Sequence, residues 1–277
     1  MAETYRPMNP KVAALFIFLA FGKWRLSEVF DAWYSGHEKS PTIRKIFRDV
    51  YADDYMEDVD QNGFVTRTDL QQMLQYLKIG AGDNLVDLGC GRGGPGLWIA
   101  RETGARLTGI DISPVAVEIA RRRIADFSVN LETGFQVGNF EKTGLPDAGF
   151  NAAMSVDSFF LVRDKIAAVD EVKRILRPGG RFVFTSWEGS SPILFKDHRS
   201  VLQEKGFAVE VCEETKDWKS RQAAVYQRIL AEKNTLIREM GRDSAKMWIR
   251  DAANLKTLDR IRRVFVVARK KEDSTYG

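Results

Sequence analysis

The stretch Leu85-Val-Asp-Leu-Gly-Cys-Gly-Arg-Gly-Gly-Pro-Gly96 constrains the fold more than any other part of the chain. A short apolar run reaches Asp87, breaks into glycines at positions 89, 91, 93, 94 and 96, and resumes as Leu97-Trp-Ile-Ala. Strand, glycine turn and helix start form the ground plan of a nucleotide-type site. Glycines let the backbone come close to a ligand, and the helix N-terminus offers free N–H groups. Two ligand classes satisfy this pattern. Gly89-Cys-Gly-Arg-Gly-Gly94 spells the dinucleotide fingerprint, with Asp111 closing the next apolar run. Asp87 argues the other way: a carboxylate at the strand end repels a pyrophosphate and attracts a cationic amino group, such as that on the methionine half of S-adenosylmethionine (SAM).

From about residue 80 to 190 the chain alternates strand and helix. Strands are expected at 84–88, 106–112, 135–137, 150–156 and 181–186. Helices are expected at 94–102, after the Ser113-Pro start with its N-cap serine, and at 164–176. This order predicts an α/β fold with a Rossmann-like, doubly wound, mostly parallel sheet and right-handed crossovers. Ligands bind such sheets beyond the strand C-termini, which directs attention to Asp87, Asp111, Asn139, Asp157 and Trp187.

A sixth strand is expected at 207–213 and a seventh, antiparallel one at 263–269. The segment 214–262 between them is far longer than a hairpin needs and carries helical periodicity at 222–232 and 245–258. It reads as a helical cap over the strand ends, or as extra packing remote from ligand. The expected organisation is an N-terminal helical segment (1–79), a core with its cap insertion (80–270, cap 214–262) and a short tail (271–277).

The bulk composition is that of a soluble globular protein, with 44% hydrophobic and 29% charged residues and a formal net charge of +4. The basic clusters, such as Arg121-Arg-Arg123, are short and read as solvated helix faces, so no nucleic-acid partner is expected. Two cysteines, Cys90 and Cys212, make neither a disulfide framework nor a metal cluster, and a reducing cytoplasmic setting is expected. The ten-residue apolar run 12–21 is too short to span a membrane, which takes about 20 residues. It is expected to pack on the body, over a substrate pocket or on a neighbouring subunit, which allows a homo-oligomer; a signal-peptide core is the competing reading.

The motifs V-D-L-G-C-G-R-G-G at 86–94, G-I-D-I-S at 109–113 and L-R-P-G-G-R-F at 176–182, followed by a late seventh strand, resemble the class I SAM-dependent methyltransferases over about 190 residues. The G-R-G-G-P-G-L-W spelling, the Trp187-Glu pair and the inserted helices are similar to the branch acting on small natural products, sterols and tocopherols. The resemblance implies SAM as cofactor and methyl transfer to a C, N or O atom of a small, fairly apolar metabolite. It implies that Gly89, Cys90 and Gly91 pass under the methionine part, with Asp87 near its ammonium. Asp111 is implied to take the ribose hydroxyls and Ile112 to pack on adenine. Asn139 and Phe140 stand where many relatives contact the adenine amine, Asn139 accepting through its carbonyl. Val156 and Asp157 are implied to flank the methyl group, and Phe159 and Trp187 are placed by position as substrate-binding aromatics.

A sulfonium methyl needs positioning more than a nucleophile, but an oxygen acceptor is helped by a base. The candidates are Asp157 and the two histidines, His37 and His198, both of which read more simply as surface residues. The segment 58–69 imitates a calcium loop through Asp58, Asp60, Asn62 and Gly63, but its twelfth position is Asp69 rather than a bidentate glutamate, so no metal is expected. The rival functions are a non-catalytic SAM-fold binding protein, an NAD(P)-dependent oxidoreductase and, disfavoured by the weak charge bias, an RNA methyltransferase.

Overall fold

The computed structural model describes residues 26–60, 63–130, 132–190 and 194–272. The apolar run 12–21 and Asn62 lie outside the described residues.

Among the described residues three α-helices precede the sheet: α1 (Leu26–Lys39), α2 (Pro41–Tyr51) and α3 (Arg67–Leu77). Each later start has a local cause. Ser40 caps α2 by accepting from the Ile43 amide, and Thr66 with Asp69 forms a reciprocal capping box on α3. The alternating region follows as β1 (Asn84–Leu88), α4 (Gly94–Thr103), β2 (Arg106–Asp111), α5 (Pro114–Arg123), β3 (Gly134–Val137), β4 (Phe150–Val156), α6 (Lys165–Ile175) and β5 (Leu176–Gly189). Then come α7 (His198–Glu204), β6 (Phe207–Glu214), three consecutive helices α8 (Trp218–Ala231), α9 (Lys233–Met240) and α10 (Arg242–Ala253), and β7 (Ile261–Lys270).

The seven strands form one sheet in the order β3-β2-β1-β4-β5-β7-β6. Pairing is parallel from β3 through β5, and β7 runs antiparallel between β5 and β6. The Rossmann-like sheet read from the sequence is present, with its antiparallel seventh strand. The winding reverses between β1 and β4, which opens a crevice above the ends of those strands.

Alternation along β5 shows how the sheet is covered on both faces. Phe182 and Phe184 point into a layer with Val169, Val172 and Ile175 of α6 and Val201 of α7. Val183 points to the opposite layer with Leu70 and Met73 of α3 and Leu97 of α4. A third cluster joins Phe47 of α2, Trp187 at the end of β5, Val225 and Ile229 of α8, and Trp248 of α10. This third core holds α2 and α8–α10 above the crevice.

Element ends shift by a few residues from the sequence reading, and two differences are larger. Strand β5 begins at Leu176 instead of 181, because the Arg177–Gly180 turn is folded into the strand as an irregularity opposite Phe150 and Ala152. The cap holds three helices instead of two. Lys233–Met240 is polar enough to escape a periodicity test, and Gly241, at φ +83°, separates it from α10.

Candidate functional site

A cavity of about 1220 Å3 lies over the ends of β1, β2 and β4, roofed by residues of α1, α8 and α10. Its lining includes Asp87, Gly89, Cys90, Gly91, Asp111, Ile112, Asn139, Phe140, Val156, Asp157 and Trp187. These eleven positions are scattered through a hundred residues of sequence, and the parallel strands bring them together because each ends on the same edge of the sheet.

At the glycine turn, Gly91 has φ +52°, and a Cβ there would stand 2.8 Å from the Tyr34 hydroxyl. Its amide donates to Asp111 Oδ2 at 2.8 Å, while the Ser113 amide donates to Asp111 Oδ1 at 2.9 Å. Asp111 is thereby oriented by two backbone groups, each using one lone pair per oxygen. Burial raises its carboxyl to about 6, against the pull of those amides. Asp87 is 1% exposed and neither of its carboxylate oxygens completes a hydrogen bond. Burial, then the neighbouring Asp111 charge, raises it to about 7; the Gly96 amide beside it pulls the other way. A buried carboxylate without a partner is costly, and a cationic ligand group in the cavity would relieve it. Tyr34, on α1, closes over the same turn, and its phenol is pushed up by burial and then by Asp111.

Cys90 is buried, its thiol pushed well up by desolvation and the adjacent acids, so it is no thiolate nucleophile. Asn139 lines the cavity, but its side-chain carbonyl already accepts from the Glu141 amide at 2.8 Å. Phe140 lies against Phe159 with ring centroids 5.4 Å apart.

Three expectations about individual side chains are corrected. Phe159 is not at the cavity: it is fully buried among Phe182, Phe184 and Phe195, and Phe160 faces the cavity instead, edge-on to Trp187. The short 3-10 turn Phe159–Leu161 rotates one ring inward and the next outward. His198 is neither exposed nor at the cavity. It is 1% exposed at the start of α7, its Nδ1 lies 2.8 Å from Glu188 Oε1, and aromatic rings pack around it. His37 is also fully buried and absent from the cavity lining. Its ring lies 3.8 Å from Asp60, and burial, then Arg92, lowers it to about 4, so it is neutral near pH 7. Neither histidine is placed to take a proton from a molecule in the cavity. Asp157 does line it, but both its oxygens accept from Arg263, at 2.9 and 3.0 Å, so proton abstraction would have to break an ion pair.

The calcium-like segment is held by arginines. Asp58 pairs with Arg101, Asp60 with Arg92 and Arg44, and Asp69 with Arg263. These carboxylates diverge toward different cations.

Sequence motifs missed most of the other wall of the cavity. Phe30, Trp33 and Tyr34 reach it from α1, Gln222 and Tyr226 from α8, and Met247 and Trp248 from α10, together with Leu258. Such residues follow ordinary helical spacing, and only the docking of the helices shows which of them face inward.

A glycine turn, two buried acids and a winding reversal define a Rossmann-like fold with a ligand crevice at its switch point. Residues 86–184 match the family described as Methyltransferase domain. Methyltransferase GfsG of Streptomyces halstedii is 32% identical over 111 residues, 40% of this chain and 40% of that protein. A probable chloroplastic tocopherol O-methyltransferase of Oryza sativa subsp. japonica is 34% identical over 104 residues, 38% of this chain and 29% of that protein. The matched stretch thus spans less than half the length of either relative. Among solved structures, the [4+2]-cyclase SpnF superposes with a TM-score of 0.64 at 21% identity, covering 74% of this chain and 80% of that one. Phosphoethanolamine N-methyltransferase 2 of Haemonchus contortus, solved with SAM, gives a TM-score of 0.64 at 18% identity, covering 83% of this chain and 57% of that one. These two likenesses establish the shared fold.

Proposed function

We propose that the chain is a SAM-dependent methyltransferase acting on a small, fairly apolar metabolite. The observation that carries this reading is Asp87: a buried carboxylate with no hydrogen-bond partner at the floor of the cavity, beside the glycine turn. The cofactor supplies an activated methyl group on a sulfonium. Asp87 would hold its ammonium, Asp111 its ribose hydroxyls, Ile112 and Phe140 its adenine, with the Gly89–Gly91 backbone toward the methionine part and Asn139 toward the adenine amine. Val156 borders the transfer point. A pyrophosphate, as in the oxidoreductase reading, would instead meet Asp87 as a repulsive neighbour.

On the acceptor side, the aromatic residues Phe64, Phe160, Trp187 and Trp248 line the cavity. Such a chamber favours an apolar substrate and keeps water from the sulfonium. With both histidines remote and Asp157 engaged by Arg263, these residues promote transfer by holding the two reactants in line, more than by removing a proton. Relatives named for tocopherol methylation support a small apolar acceptor. The two cysteines are both free, and among the described residues no helix is long and apolar enough to cross a membrane; a cytoplasmic location agrees with both.

Calorimetric titration with S-adenosylhomocysteine (SAH), with NAD as the competing ligand, tests the donor site. SAH binds and NAD does not, and Asp111→Ala weakens SAH by one to a few kcal/mol, roughly the worth of charge-assisted hydrogen bonds. Unchanged SAH affinity in that variant removes Asp111 from the site. Transfer of labelled methyl from SAM to an acceptor in a metabolite extract separates the enzyme from a non-catalytic SAM-fold binding protein.

A further inference from the structure

Two neutral polar side chains on α8 stand together among the aromatic rings of the chamber. Gln222 and Tyr226 stand one turn apart on α8, are 4% and 7% exposed, and both line the cavity. Gln222 Nε2 donates to the Tyr226 hydroxyl at 2.8 Å. That bond uses the phenol oxygen as an acceptor and leaves its own O–H free to donate. Gln222 Oε1 is buried and has no partner among the described residues. Aromatic rings lie close by: Phe64 is 6.0 Å, centroid to centroid, from Tyr226 and 6.0 Å from Trp187, while Asp251 of α10 also lines the cavity. Trp248, on the facing helix α10, lines the same cavity, and its indole N–H is likewise buried without a partner. Unpaired buried groups of this kind are expensive to leave unmatched, and a cluster of them in a cavity wall points to a ligand that completes them.

We propose that Gln222 and Tyr226 form a hydroxyl-recognition subsite, and that the acceptor substrate is an apolar skeleton bearing an alcohol or phenol. Its hydroxyl donates to Gln222 Oε1 and accepts from the Tyr226 O–H. The inference rests on the methyltransferase reading in so far as it takes this chamber for the acceptor side. The match is specific to a group that both donates and accepts. A ketone would satisfy Tyr226 and leave Gln222 Oε1 unpaired. An ammonium would satisfy Gln222 and confront the Tyr226 proton. A hydrocarbon would satisfy neither. Burial, and then the nearby Asp251, push the Tyr226 phenol upward, which keeps it protonated and able to donate.

The subsite and the donor site can be read separately on the full chain. Equilibrium dialysis with 2-naphthol and with 2-methylnaphthalene, which has a methyl in place of the hydroxyl, reads the subsite without any cofactor. Calorimetric titration with SAH reads the donor site. The wild-type chain is expected to hold 2-naphthol about tenfold more tightly than 2-methylnaphthalene, as two hydrogen bonds to otherwise unpaired groups would give. In Gln222→Leu and Tyr226→Phe the preference falls below about threefold while SAH affinity stays within about twofold. Equal affinities of the wild-type chain for the two probes overturn the subsite and leave the donor reading standing. If SAH fails to bind, the donor reading falls, and the naphthol preference still decides the subsite. The wild-type ratio tests the subsite even where a variant fails to fold.

Discussion

Asp87 shows how a single residue couples stability to binding. In the folded chain its carboxyl is raised from 3.8 to about 7 by burial and by Asp111. Between those values the folded state holds more protons than the unfolded state. Stability of the free protein therefore falls as pH rises from about 4 toward 7, and this destabilisation is fully present above the folded value. Asp111, raised to about 6, acts in the same direction. Binding of an ammonium reverses the preference, because it favours the carboxylate. Two outcomes follow for Asp87→Asn. At pH 8 the ligand-free variant melts higher than the wild type by a margin on the order of 5 °C, since a buried charge is gone. Its SAH affinity is lower, and it loses the weakening of binding that the wild type shows as pH drops below about 7. Differential scanning fluorimetry and calorimetry at pH 6 and 8 measure both effects; a wild-type SAH affinity independent of pH would remove Asp87 from the ammonium contact.

Among the elements, α1 and the α8–α10 insertion do most to turn a common fold into a particular cavity. Helix α1 packs against α5 on one side and α10 on the other. Asp31 accepts from Ser113 and from the Val115 amide at the N-terminus of α5, where the helix dipole favours a carboxylate. Tyr34, one turn later, covers Gly91. Helix α1 is locked to α10 where Gly36 meets Ser244: a Cβ on Gly36 would stand 2.4 Å from Ser244 Cβ, and the Ser244 hydroxyl donates to the Ala32 carbonyl. Gly36→Ala should therefore push the two helices apart at a cost of about 1–3 kcal/mol, the range for overpacking a tight contact. SAH affinity should fall with it, because Tyr34 moves. Urea titrations of Gly36→Ala and of Gly36→Ala combined with Ser244→Gly test the cause; if the second change restores none of the lost stability, the close approach is not what Gly36 serves.

At the scale of the whole molecule, a buried ion network ties the sheet to its surroundings. Arg263 of β7 is 1% exposed and pairs with Asp157 after β4 and with Asp69 of α3, and it reaches the Thr215 hydroxyl at 3.3 Å. Opposed by its own burial, the guanidinium is nevertheless raised by these two carboxylates. Arg263→Met would leave both acids uncompensated in the interior, a loss of roughly 3–5 kcal/mol. Arg221→Ala, which removes a half-buried pair with Asp54, should cost about 1 kcal/mol or less. Thermal melts of the two variants should separate clearly, and equal shifts would show that the network contributes little. Asp157 and Arg263 are 106 residues apart, and no local pattern in the chain announces their pairing. The same holds for His198 and Phe159. A histidine after Lys-Asp reads as surface, and a phenylalanine after the fourth strand reads as pocket wall; both became core because α7 and the turn after β4 fold onto the Phe182–Phe184 face of the sheet. The order of strands, the glycine turn and the two acids at strand ends were legible, because strand periodicity, glycine backbone freedom and charge at a ligand site are set within a few neighbouring residues. The opposite wall of the cavity was not, because it comes from α1, α8 and α10, whose inward faces depend on how helices dock. What the sequence determined by itself is the donor-type crevice, through local backbone requirements. What only the tertiary structure decided is which side chains complete it, since burial and pairing across a hundred residues are properties of packing.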